Sequence, residues 1–195
     1  MSTNLLPDDV RKGRAKDLLA QGRLEEAREL LSELCRDDQH DVETWFLYSA
    51  ACAHLGHFED VITACRKALD LDPRHLAALN NLASAQAALG RYAEAAMEFD
   101  KLLNLAPDNP AVLNNYGHAM ALAGRVQEAH EALEKAVRIQ PFYAEARFNL
   151  ALLLEQIGFP DDALREYEKA AELKPGLPNI NDRITRLREV IGRKA

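Results

Sequence analysis

One spacing governs this sequence. Glycines recur every 34 residues, at Gly22, Gly56, Gly90, Gly124 and Gly158, with Gly192 next in the series. Pro73, Pro107, Pro141 and Pro175 form a second ladder with the same step. Ala27, Ala95, Ala129 and Ala163 form a third, with Val61 standing in once, and Leu34, Ala68, Leu102, Ala136 and Ala170 form a fourth. Chance does not align four such ladders. A fixed period of about 20–50 residues means one small supersecondary unit repeated, which buries its apolar face only by stacking on its neighbours. The units are residues 8–41, 42–75, 76–109, 110–143 and 144–177, preceded by a lead over 1–7 and followed by a segment over 178–195.

Within a unit the apolar pattern has helical period on both sides of the glycine. Leu79, Leu82, Ala83 and Gln86 lead to Gly90; Ala95, Ala96, Phe99, Leu102 and Leu103 then lead to Pro107. These spacings predict two amphipathic helices of about 12–14 residues each. The glycine supplies the backbone freedom of the tight turn between them. The proline, lacking an N–H and clashing with the preceding turn, stops the second helix. Pro110, Pro160 and Pro178 fall where a next helix opens and suit its first turn. In the last segment Ile180, Ile184, Leu187 and Ile191 share one helix face, and Asp182, Arg183, Arg186, Arg188 and Glu189 share the other. That reads as a capping helix covering the apolar face of the fifth unit. Its polar side is either a plain solvated face or a dock for another protein.

Composition removes several function classes. A net charge of −7 and a pI near 5.4 leave no basic stripe for nucleic acid. No apolar run approaches the length of about 18 residues that spans a bilayer, so no membrane insertion is expected. The start has no basic segment ahead of an apolar core, and three cysteines do not suggest a disulfide framework; the expected compartment is the cytoplasm.

The repeat resembles the tetratricopeptide repeat, a 34-residue helix–turn–helix whose signature is Trp-x2-Leu-Gly-x2-Tyr, then Ala-x3-Phe and a closing Pro. Leu113, Tyr116, Gly117 and Met120 carry the first-helix part in the fourth unit, and Trp45, Tyr48, Ser49 and Cys52 in the second. Ala95 with Phe99, and Ala163 with Tyr167, carry the second-helix part. The first unit departs most, with Arg11, Arg14 and Ala15 in the first helix and Gln39 in place of the proline; terminal repeats are commonly atypical. The resemblance covers residues 8–177. It implies an all-α fold, a right-handed superhelix of five helix–turn–helix repeats plus the C-terminal capping helix, with first helices lining the concave side.

On that resemblance three rows of residues face inward. They are Lys12, Phe46, Asn80, Asn114 and Phe148; then Gly13, Leu47, Asn81, Asn115 and Asn149; then Lys16, Ala50, Ser84, His118 and Leu152. Asparagine is a poor helix-interior residue, because its side chain competes for the backbone. Five of them in three successive units need a reason. A carboxamide both donates and accepts, which suits the backbone of an extended peptide of any sequence. Helices pack about 8–10 Å apart and an extended chain rises about 3.3 Å per residue, so one asparagine could serve every third residue. Asn81, Asn115 and Asn149 resemble the asparagine ladder of the superhelix in O-linked N-acetylglucosamine transferase, which implies a grip on a bound polypeptide. The alternative is that some of these side chains cap or bridge helices. Phe46 and Phe148, with Leu47, Ala50 and Leu152, would add apolar pockets at the two ends of the rows. The carboxylate-clamp pattern of chaperone-binding relatives fails: Lys12 matches, but Lys16, Leu47, Ala77 and Asn81 stand where Asn, Asn, Lys and Arg are needed.

No catalytic constellation survives comparison with ordinary structural roles, so no enzyme activity and no cofactor are expected. His54 and His57 flank the helix-breaking Gly56 and have no third ligand at usable spacing, so no metal is expected. Cys52 and Cys65 fall where the family buries an apolar side chain; a redox pair is the other reading, without Cys-x-x-Cys spacing. Acidic residues such as Glu25, Glu26, Glu94, Asp161 and Asp162 open second helices, where negative charge favours the N-terminus. The expected function is a non-catalytic scaffold binding a protein or peptide segment in its groove. Two alternatives are a recruiting module for a transferase-type enzyme and a scaffold that self-associates into a homo-oligomer through the repeat ends.

Overall fold

The computed structural model describes residues 7–192. Residues 1–6 of the lead over 1–7, and the terminal Arg193, Lys194 and Ala195, lie outside the described residues. Within the described range the chain is all-α: eleven helices in paired repeats, the class of a helical solenoid. The contacts divide it into two compact units, one up to Glu98 and one from Phe99 onward.

The first unit holds α1 (Asp8–Ala20), α2 (Leu24–Asp37), α3 (Val42–Leu55), α4 (Phe58–Leu71) and α5 (Leu76–Ala88). The helix α6 (Tyr92–Leu105) contains the boundary. The second unit continues with α7 (Pro110–Leu122), α8 (Val126–Ile139), α9 (Ala144–Gln156), α10 (Pro160–Leu173) and α11 (Ile180–Gly192). In the first unit α1 packs on α2 and α3 on α4, and α3 touches both α1 and α5. In the second, α7 packs on α8 and α9 on α10, and α7 also touches α9. First helices therefore have neighbours on several sides and bury residues around much of their girth: Ala51, Cys52 and Ser49 on α3, and Ala146, Leu150, Ala151 and Leu153 on α9. Second helices bury one stripe, as Ala129, Ala132, Leu133 and Ala136 do on α8.

The punctuation behaves as the ladders predict. Gly22, Gly56, Gly90, Gly124 and Gly158 all take left-handed backbone, with φ between 74° and 87°. Each second helix from α4 to α10 ends two residues before its proline. Pro110 and Pro160 open α7 and α10. Two positions differ. Pro178 lies in a turn rather than in a first helical turn, because Asn179 adopts φ 54° and α11 cannot begin before Ile180. Gly192, sixth in the glycine series, is the last helical residue of α11 and makes no left-handed turn.

Cores match the periodic residues. Ala15, Leu18, Ala27, Leu31 and Leu34 cluster among α1–α3, and Cys52, Val61, Ile62, Cys65 and Leu82 among α3–α5. In the second unit Leu113, Ala132, Ala136 and Ala146 cluster, while Phe99 and Tyr167 are fully buried. Ile180, Ile184 and Leu187 of α11 are buried, and α11 packs on α10. Cys35, Cys52 and Cys65 are free and buried, and burial pushes the Cys65 thiol up to about 11 and the Cys35 thiol to about 12.

Candidate functional site

The second unit brings α7, α9 and α11 around a cavity of about 580 Å³. Ala121, Leu122, Leu152 and Leu153 give it aliphatic walls; His118, Asn149, Glu155, Gln156 and Arg183 supply polar groups. Of the sequence-predicted site residues, His118 and Asn149 line it directly. His118 is exposed at the rim of the cavity, and partial desolvation of its imidazole lowers its pKa.

Asn114, Asn115 and Asn149 form a connected chain of carboxamides. Asn149 Nδ2 donates to Asn114 Oδ1 at 2.8 Å, and Asn114 Nδ2 donates to Asn115 Oδ1 at 3.1 Å. Asn114 is buried at 5% exposure, whereas Asn115 and Asn149 are half-buried. Burial pushes the phenol of the half-buried Tyr143 up in pKa, against a smaller lowering by Asn114. Phe148 packs edge-on against Tyr167, with centroids 5.6 Å apart, while its neighbour on the next turn, Leu152, lines the cavity.

The polar end of the cavity is not singled out by any motif in the sequence. Glu155 accepts from Tyr167 Oη at 2.9 Å and Arg183 Nη1 at 2.8 Å, and also from Arg186 Nη2. Burial works against its ionisation, but the hydrogen bonds from Tyr167 and Arg186 and the charge of Arg183 outweigh this and lower its pKa. Arg183 also stands 5.9 Å from the centroid of the Tyr167 ring. The one hint in the sequence is the basic polar face of α11.

In the first unit, Phe46 lies 5.0 Å from the ring of His75, and Asn81 Nδ2 reaches Ser49 Oγ at 3.4 Å. Asn80 and Asn81 are both half-buried. The two cations on the inward rows are occupied: Lys12 pairs with Asp41 and lies 3.7 Å from Glu43, and Lys16 pairs with Glu43 at 2.6 Å. Among the described residues, no group of three His, Cys, Asp or Glu is placed to hold a metal ion, and no helix is long and apolar enough to cross a membrane.

Residues 74–141 match one model of the tetratricopeptide repeat, and residues 12–74 and 117–178 match a second. The chain belongs to the tetratricopeptide repeat family. No curated protein matches it. Among solved structures, a thermophilic tetratricopeptide protein of Thermus thermophilus, TTC0263, superposes with a TM-score of 0.79 at 22% identity, over 93% of this chain and 98% of that one. PilW, described as a widely conserved type IV pilus biogenesis factor, gives 0.83 at 20% identity, over 94% and 86%. MamA from Desulfovibrio magneticus gives 0.72 at 22%, over 87% and 96%. At these identities the likeness is one of fold. Tetratricopeptide repeats are in general protein–protein interaction modules, and the family is typically non-catalytic.

Proposed function

We propose that this chain is a non-catalytic module that holds an extended peptide segment of a protein partner. The observation that carries this reading is the cavity among α7, α9 and α11, which combines aliphatic walls with a few convergent polar groups. Asn149 commits its N–H to Asn114, which leaves its carbonyl oxygen to accept a peptide N–H. Asn115 is the second backbone contact, and the buried Asn114 positions both rather than touching the ligand. His118 and Leu152 receive a side chain. On the first unit, Asn80, Asn81 and Phe46 offer a surface of the same chemistry. The idea that carboxamides hold the ligand backbone follows the resemblance to the asparagine-lined superhelix of O-linked N-acetylglucosamine transferase.

The test starts from a displayed library of random peptides panned against the full chain. Selected peptides are then titrated calorimetrically against wild type, the combined Asn81→Ala, Asn115→Ala and Asn149→Ala variant, and Leu152→Ala. A loss of about tenfold or more in affinity with unchanged helicity supports the reading. Peptides that bind the triple-asparagine variant as tightly as wild type overturn it.

A further inference from the structure

We propose that the cavity of the second unit accepts a bulky aliphatic side chain of the bound peptide, and that Arg183 and Arg186 select a carboxylate beside it on the same peptide. This specifies the ligand class of the site above and rests on that reading.

The aliphatic half follows from the walls. Leu122 and Leu152 present branched methyl groups and no aromatic face, with Leu122 51% exposed, Leu152 half-buried and Leu153 buried in the wall. That surface gains when a leucine-, isoleucine- or methionine-sized group covers it. The volume of about 580 Å³ is ample for such a side chain together with the backbone that carries it.

The acidic half follows from charge. Glu155 is the sole carboxylate among the lining residues, and two guanidiniums share it. Glu155, Arg183 and Arg186 together sum to one positive charge, in a chain whose total is −7, while Asp182 and Glu189 stand a turn before and after Arg186 on α11. Each guanidinium has five N–H donors, and only one from each is engaged with Glu155. Arg186 is 60% exposed, so its remaining donors face outward. Tyr167 takes part of the carboxylate's accepting capacity and holds Glu155 in place without adding charge. A peptide with a carboxylate flanking its aliphatic anchor meets these donors, and a basic residue there meets repulsion.

The probes are synthetic peptides in a neutral Gly/Ser frame carrying one Leu, Ile, Met or Ala, with Asp, Asn or Lys at each flanking position. They are tested by fluorescence anisotropy with the full chain at low and high ionic strength. Wild type should prefer Leu over Ala and Asp over Asn by about threefold to tenfold at low salt, the Asp preference shrinking as salt rises. Arg186→Gln should abolish the Asp preference and keep the Leu preference; Arg186→Lys should keep both; Leu152→Ala should lose the Leu preference only. Thermal unfolding of each variant verifies that α11 remains docked. Peptides that bind with no charge preference, or with the same preference in Arg186→Gln, overturn this inference while leaving the peptide-binding reading standing. Absence of binding by every probe and by library-selected peptides overturns both.

Discussion

Asn149 donates to Asn114 across 35 positions of sequence, so the link between α9 and α7 runs diagonally to the 34-residue register. Asparagines that form straight rows in the sequence meet obliquely in the fold. Asn114, the buried one, sits at the centre of the connection between Asn149 and Asn115.

That arrangement makes Asn114 a stability residue. Asn114→Ala leaves the Asn149 amide and the Asn115 carbonyl oxygen short of this partner and should cost about 1–3 kcal/mol in urea unfolding. Asn149→Ala should cost less, because its side chain is half-buried. The double variant should cost less than the sum of the two, since each single change already breaks the shared bond.

Two helical glycines should respond with opposite sign. A Cβ on Gly117 would lie 2.6 Å from Leu133 Cγ and 3.1 Å from the Ala129 carbonyl oxygen, so α7 and α8 pack through the missing side chain. Gly117→Ala should destabilise by about 1–3 kcal/mol despite the better helix propensity of alanine. Gly13 in α1 has nothing within 4 Å of that position, and Gly13→Ala should stabilise by about 0.5–1 kcal/mol. Thermal denaturation of the two variants distinguishes the cases.

Acid should weaken the second unit through Glu155. Its folded pKa is lowered, so its contribution is full above the unfolded value of about 4.3 and is lost as pH falls through the folded value. Glu155→Gln should therefore flatten that part of the curve of unfolding midpoint against pH. Asp41, held low by Lys12 and Thr44 against the opposing effect of burial, acts the same way in the first unit, so the acid limb should shrink rather than vanish.

The three thiols should be silent in the folded protein. With Cys35 and Cys65 pushed up to about 12 and 11 and all three buried, little thiolate is present near neutral pH. A colourimetric thiol reagent should react slowly with native protein and rapidly after denaturation. Fast native labelling of Cys52 or Cys65 would show that these residues are not core.

Much of this molecule is legible without coordinates. A repeated Gly and a repeated Pro set where helices can turn and stop, because these residues constrain the backbone whatever surrounds them. The buried faces of α8 and α10 likewise follow from spacing alone. The start of α11 does not: the left-handed Asn179 delays it, and no local signal separates Pro178 from Pro110, which does open a helix. His118 and Asn149 are visible as inward positions on the family resemblance, but Glu155 is not, since it reads as an ordinary carboxylate near the end of a helix.

By itself, then, the sequence determined the period, the helices, their punctuation and which faces are apolar. Only the tertiary structure decided which polar atoms meet. It joined Asn149 to Asn114 one position off register, and it carried Arg183 across 28 residues to Glu155. The physical reason is that backbone preferences and amphipathic period are local and survive being read in one dimension. A hydrogen bond between helices depends instead on side-chain direction and on how the helices are staggered, and neither is written in the spacing of a repeat.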